Sequence, residues 1–256
     1  MKTLLQSFSV AFSMYSRLPV PQVEWNEKNM KYAFCFFPLI GIFVGGAVWL
    51  WLQAAAFWGF GDSLRAAVCV ALPLLITGGI HLDGFCDTVD ALSSHQSRER
   101  KLEILKDPHI GAFALMGCGV YFLLAFGLWA ELSLPPRQAA ALCVGFVVSR
   151  GFSGMSIVTF PCAKNSGTAS MFSQVAQKQR VRAVMGLFLG VCLAVMVYLG
   201  GLMGLCCFGA AALVFLYYRL MSQKQFGGIT GDLAGFFLQM AELAMPAAAL
   251  IASLVS

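Results

Sequence analysis

From Ala33 to Trp58 the chain carries no charged residue. A helix that crosses a bilayer needs roughly 20 consecutive apolar residues, because the hydrocarbon core offers its backbone no water to bond. One such run already dictates lipid as part of the solvent, and this sequence repeats it. Apolar segments are read at 33–58, 64–82, 111–130, 138–160, 183–200, 202–218 and 233–254. The stretch from Ala183 to Tyr218 is too long for one crossing, and Gly200, Gly201 and Gly204 offer a tight break near its middle. The expectation is an all-α integral membrane protein of about seven transmembrane helices, forming a single polytopic domain over 1–256. Composition agrees: 11% of the residues are charged, against about 25% in soluble domains. No strand-like alternation is long enough to suggest a β-barrel.

The placement of the basic residues sets the expected orientation. With the N-terminus inside, the inner loops collect Lys2, Arg17, Lys28, Lys31, Arg98, Arg100, Lys101, Lys106, Lys164, Lys178, Arg180, Arg182, Arg219 and Lys224. The outer loops receive only Arg65 and Arg137, and Arg150 falls within a span. Such an asymmetry predicts a cytoplasmic N-terminus. It accounts for all the basic loops, so no nucleic-acid partner is expected.

The first residues resemble a secretion signal, but no small-x-small cleavage site follows before Arg17-Leu18-Pro19-Val20-Pro21. Residues 1–31 are therefore read as an interfacial segment whose helix the two prolines end. Most of the nine cysteines lie inside apolar runs without paired C-x₂-C spacing, so they read as small hydrophobes. Glycines within the spans let helices approach closely, which also leaves room for a homo-oligomer.

The chemistry concentrates at Thr77-Gly78-Gly79-Ile80-His81-Leu82-Asp83-Gly84-Phe85-Cys86-Asp87-Thr88-Val89-Asp90, where the second span ends. Asp83, Asp87 and Asp90 stand at i, i+4 and i+7 and share one helical face. Three stacked carboxylates repel one another and are costly to desolvate at a membrane, so cations or protons must neutralise them. Oxygen-only ligands favour Mg²⁺, Mn²⁺ or Ca²⁺ over zinc. Because Asp83 and Asp90 are about 10 Å apart along the axis, either Asp87 is shared by two ions or another helix completes the site. A solvated helix end with ordinary Asp caps is the plainer alternative. His81 lies one turn before this face and reads equally as structural or catalytic. Gly84 leaves room for a phosphorylated group to approach the backbone.

Further candidates lie elsewhere. Gly227-Gly228-Ile229-Thr230-Gly231-Asp232 opens the last span, where a helix N-terminus suits phosphate, although Asp232 could simply be an N-cap. Glu242 sits deep in that span and needs a partner or a polar cavity, and Arg150 is a partner of the right kind. Lys106-Asp107-Pro108-His109-Ile110-Gly111 and Lys164 lie on the same expected side. Their convergence implies an anionic, phosphate-bearing substrate.

At these residues the chain resembles the cobalamin synthase family, the adenosylcobinamide-GDP ribazoletransferases. The run Gly78 to Asp90 is similar to the family hallmark G-G-x-H-x-D-G-x-x-D-x-x-D, and Gly227 to Asp232 to its G-G-x-T-G-D element. Arg17 to Pro21, Phe37 to Gly41 and Lys106 to Gly111 resemble weaker family elements in the same order. The sequence departs at Ala91, where relatives carry Gly, and Gly151 to Thr168 matches loosely. The resemblance implies a bacterial inner-membrane enzyme with its active site facing the cytoplasm. It would join α-ribazole, or its 5′-phosphate, to adenosylcobinamide-GDP with release of GMP, using Mg²⁺. Asp83, Asp87, Asp90 and Asp232 would then hold metal, with Asp90 as a possible base. Lys106, His109, Arg150, Thr230 and Glu242 would contact substrate. Two other readings stay open: a CDP-alcohol-type phosphotransferase with a lipid acceptor, against which the missing Ala-Arg of that motif counts, and an ion-coupled transporter, against which the absence of an internal repeat counts.

Overall fold

The computed structural model describes residues 2–255. Eleven helices follow in order: α1 (Lys2–Tyr15), α2 (Glu27–Met30), α3 (Ala33–Trp58), α4 (Asp62–Thr77), α5 (Ile80–Ser93), α6 (Arg98–Ile104), α7 (Ala112–Glu131), α8 (Pro136–Thr159), α9 (Thr168–Val175), α10 (Lys178–Phe226) and α11 (Gly231–Val255). Among the described residues the only β pairing is an isolated bridge between Cys162 and Ile229. Five helices are long and apolar enough to cross a bilayer, and six crossings result if the bent pair α4–α5 counts as one.

The 49-residue α10 is not one rod. Gly201 takes φ 57° and ψ −131°, outside the helical region, and a side chain at Gly204 would collide with the carbonyl of Met196. Residues eight apart lie about 12 Å apart along a straight helix, so the chain doubles back here. Both legs confirm it by packing on the same level of α8: Met185 and Leu189 meet Gly154 and Gly151, while Phe208 and Phe215 meet Phe152. Only glycine adopts that φ at little cost. The break falls at the glycines where the hydropathy pattern divides the stretch from Ala183 to Tyr218.

The second span differs from its expected course. It stops at Thr77, and Gly78 (φ 70°) and Gly79 (φ 80°) both take the left-handed conformation, so α5 leaves α4 at 99°. The aspartates thus ride a separate helix rather than the end of a crossing. Arg17 donates its backbone N–H to the carbonyl of Ile76 at 2.7 Å, and its side chain lies over Gly78. This ties α1 and the Arg17–Pro21 strap to the break. Helix α1 ends at Tyr15, before either proline.

Helix α8 is the axis of the bundle. Of its most apolar stretch 89% is buried against protein, compared with 17% for α7, most of whose surface the protein leaves uncovered. Small residues on its neighbour permit this: Gly41 and Gly45 of α3 sit directly on the α8 backbone at Phe146 and Cys143, where any side chain would collide. At the other end Arg65 donates to the carbonyls of Ala130 and Leu132, pairing a cation with the carbonyls that close α7.

Candidate active site

Helix α5 is clamped between α7 and α11. The ring of Phe85 stacks on Phe236 at 5.6 Å and tilts against Tyr121 at 5.3 Å. On the α11 side the contact is backbone to backbone: a Cβ on Gly84 would lie 2.7 Å from the carbonyl oxygen of Asp232. Gly84 is therefore a packing residue, which corrects its expected role of admitting substrate: the space beside it is filled by the first turn of α11. That close approach carries Asp232 to the acidic face of α5. The Asp87 carboxylate lies within electrostatic reach of Asp83, Asp232 and Asp90.

The turn before α11 is equally determined. Gly227 caps α10 in the left-handed conformation, and Ile229 bridges to the loop after α8, its N–H donating to Pro161 and its carbonyl accepting from Ala163. Thr230 Oγ1 accepts from the backbone N–H of Leu233 at 3.2 Å and donates to Asp232 Oδ2 at 3.3 Å. The N-cap is thus Thr230, which leaves Asp232 free to face the site. The Pro161–Ala163 tie also delivers Lys164, whose Nζ donates to the carbonyl of Leu102 at 2.8 Å.

Two cavities meet at this point. One, of about 130 Å³, is walled by Tyr15, Phe34, Phe37, His81 and Leu238 and includes Asp83 and Asp232. The other, of about 210 Å³, is lined by Lys106, Lys164, Ser166, Ser170, Thr230 and Asp232. Thr168, Ala169, Gly231 and Asp232 belong to both. Asp232 therefore stands at the junction of an aromatic chamber and a basic one, with Asp83 on the aromatic side. Burial, and then the neighbouring Lys106 ammonium, lower the pKa of Lys164. Two adjacent cations in a pocket form a receptor for an anion.

The remaining candidates are distributed unevenly. Asp90 turns toward α7, where Oδ1 accepts from the N–H of Ala114 at 3.3 Å and the carboxylate fills the space beside Gly111. It serves the start of α7 as an acceptor. His109 is exposed and hydrogen-bonded to Asp107 at 2.7 Å, and it lines neither cavity. Arg150 and Glu242 form the ion pair their positions suggested, at 2.7 Å with side chains 1% and 6% exposed. They satisfy each other inside the bundle and do not line the two chambers.

The fit of a divalent cation rests on the donor set. Among the described residues no three His, Cys, Asp or Glu side chains converge as a ready cage. Mg²⁺ does not require one, since it keeps several waters and is bound by one or two carboxylates together with substrate phosphates. Asp83 and Asp232, on one cavity wall with Asp232 also lining the basic chamber, fit that pattern.

Sequence reasoning missed the aromatic chamber. Tyr15, Phe34 and Phe37 belong to apolar runs, where a ring facing a cavity and a ring facing lipid read alike. Lys164 was visible only as part of a basic loop.

These features define a polytopic membrane protein with an enclosed, acidic, two-chambered site, the class of a membrane-embedded enzyme. The chain belongs to the cobalamin-5-phosphate synthase family, whose profile matches residues 7–250. Among curated relatives it is 46% identical over 248 residues to the adenosylcobinamide-GDP ribazoletransferase of Lachnoclostridium phytofermentans, covering 97% of this chain and 94% of that one. It is 33% identical over 240 residues to the enzyme of the same name from Desulfitobacterium hafniense, covering 91% and 92%. With that of Clostridium botulinum the identity is 31% over 247 residues, covering 95% and 96%. No solved structure matches the chain.

Proposed function

We propose that the chain is an adenosylcobinamide-GDP ribazoletransferase, joining α-ribazole or its 5′-phosphate to adenosylcobinamide-GDP and releasing GMP. The observation that carries this reading is the meeting of an aromatic and a basic chamber at Asp232, with Asp83 on the aromatic wall. A group transfer between a nucleoside and a pyrophosphate donor needs those two surfaces on either side of the reacting phosphorus. A ribose hydroxyl attacks the phosphorus on the corrinoid's aminopropanol arm, the P–O bond to GMP breaks, and the hydroxyl proton passes to a carboxylate.

In such a transfer the protein chiefly positions groups and neutralises charge. Asp83, Asp87 and Asp232 would hold Mg²⁺, which when bound neutralises the oxygens of the pyrophosphate. Lys106 and Lys164 bind the phosphate oxygens from the basic chamber. Asp83, the most exposed of the cluster, is the carboxylate open to the incoming hydroxyl. The basic loops around Lys106 and Lys164 support a cytoplasmic site in a bacterial inner membrane.

The test is reconstitution in lipid with adenosylcobinamide-GDP, α-ribazole and Mg²⁺, following GMP and cobalamin with and without a chelator. Chelator-sensitive formation of both products is expected. Consumption of CDP-activated lipids instead would transfer the site to a lipid phosphotransferase.

A further inference from the structure

We propose that the aromatic chamber seats the heteroaromatic base of the acceptor nucleoside and is where that base is selected; this rests on the transfer reading above. Size comes first. An apolar cavity of roughly 150 Å³ takes up a single aromatic ring, so a chamber of about 130 Å³ takes one ring of a fused planar base, leaving the glycosylated side at its mouth, and excludes the corrin of the donor.

Its walls suit a flat π-system. Tyr15 lies 4.6 Å from Phe37 and 5.9 Å from Phe34, with Phe34 and Phe37 5.7 Å apart. Tyr15 also stacks on His81 at 6.0 Å with 10° between the planes. Stacking on such rings contributes about 1–3 kcal/mol per nucleobase.

A glycosylated benzimidazole brings one ring nitrogen, an acceptor. The chamber wall holds His81, 5% exposed, whose Nε2 is buried without a hydrogen-bond partner, beside Ser153, Thr168, Asp83 and Asp232. With its proton on Nε2 the imidazole supplies a donor for that nitrogen. A base held there directs its ribose toward Asp232, which the two chambers share, and any 5′-phosphate toward Lys106 and Lys164.

Two wall residues provide the test. Ala234, 8% exposed on the wall of the chamber, becomes Leu to fill it, and Ile157 becomes Ala to enlarge it. Binding of α-ribazole is measured by equilibrium dialysis in lipid nanodiscs, beside steady-state kinetics for both substrates. Ala234→Leu is expected to weaken α-ribazole binding and raise its KM at least about tenfold, leaving the KM for adenosylcobinamide-GDP within about twofold. Ile157→Ala is expected to shift kcat/KM about fivefold toward a nucleoside with a naphthimidazole base. A folded Ala234→Leu protein that binds α-ribazole normally, or that loses affinity for the donor instead, overturns the assignment. So does loss of co-purifying lipid with nucleoside binding intact, which would give the chamber to an acyl chain. If Ala234→Leu does not fold, unchanged base selectivity in Ile157→Ala overturns it. If the wild type binds α-ribazole but turns nothing over, and Ala234→Leu abolishes that binding, the transfer reading fails while the chamber assignment stands.

Discussion

Replacing Glu242 by Leu separates a structural ion pair from a substrate contact. Arg150 is 1% exposed, and its Nη1 has three acceptors: Glu242 Oε1 at 2.7 Å, the Phe146 carbonyl at 2.8 Å and Ser149 Oγ at 3.3 Å. Ser149 also donates to Glu242 Oε1 at 2.8 Å. Glu242→Leu removes the only anion and leaves a buried guanidinium with two neutral partners and an unpartnered Nε. Breaking a buried pair from one side costs about 3–5 kcal/mol, whereas replacing both members by apolar residues is often close to neutral. Each kcal/mol shifts the melting temperature of a chain this size by roughly 2–4 °C, so the single variant should melt roughly 10 °C lower. Arg150→Met with Glu242→Leu should recover most of that loss. Thermal melting followed by size exclusion in detergent measures both, and a KM determination on the surviving protein completes the comparison. A Glu242→Leu protein that melts like the wild type but has a raised KM for the donor would refute the structural assignment.

Asp83→Asn should lower kcat by about two to three orders of magnitude without changing the melting temperature; full activity would remove Asp83 from the metal-binding set. Gly84→Ala forces a methyl to within 2.7 Å of the Asp232 carbonyl and should cost about 1–3 kcal/mol, read as a lower melting temperature together with lost activity. Thr230→Val removes the cap of α11 and should cost about 1 kcal/mol, with Thr230→Ser retaining stability. The lowered pKa of Lys164 predicts that phosphate binding weakens as pH rises through that pKa, below the ordinary lysine value, because the cation is lost there. For folding the sign is opposite: protonation is disfavoured in the native state, so the penalty exists at lower pH and is relieved as pH rises. Lys164→Gln should bind phosphate weakly throughout and lose that alkaline limb, as titration calorimetry would show.

Local information sufficed where the physics is local. Runs such as Ala33 to Trp58 declare a lipid-spanning helix because hydrophobic length is a property of the segment itself. Asp83, Asp87 and Asp90 declare a charged face because helical periodicity puts them on one side, and the glycines at 200 and 201 mark a reversal because few other residues tolerate it. Intramembrane charges advertise their need for partners, so Arg150 and Glu242 could be matched before their contact was seen. What depended on distant packing was invisible. Gly84 and Asp232 are 148 positions apart, yet the missing side chain of one is the space that the backbone of the other occupies. Asp90 leaves the expected metal cluster for the first turn of α7 only because that helix begins beside it. Tyr15, Phe34 and Phe37 become the wall of a cavity only because two left-handed glycines turn α5 by 99° and bring His81 against them. Hydropathy is summed along the chain and reports burial of either kind, in lipid or in protein; which apolar rings enclose a cavity is decided by how the helices cross.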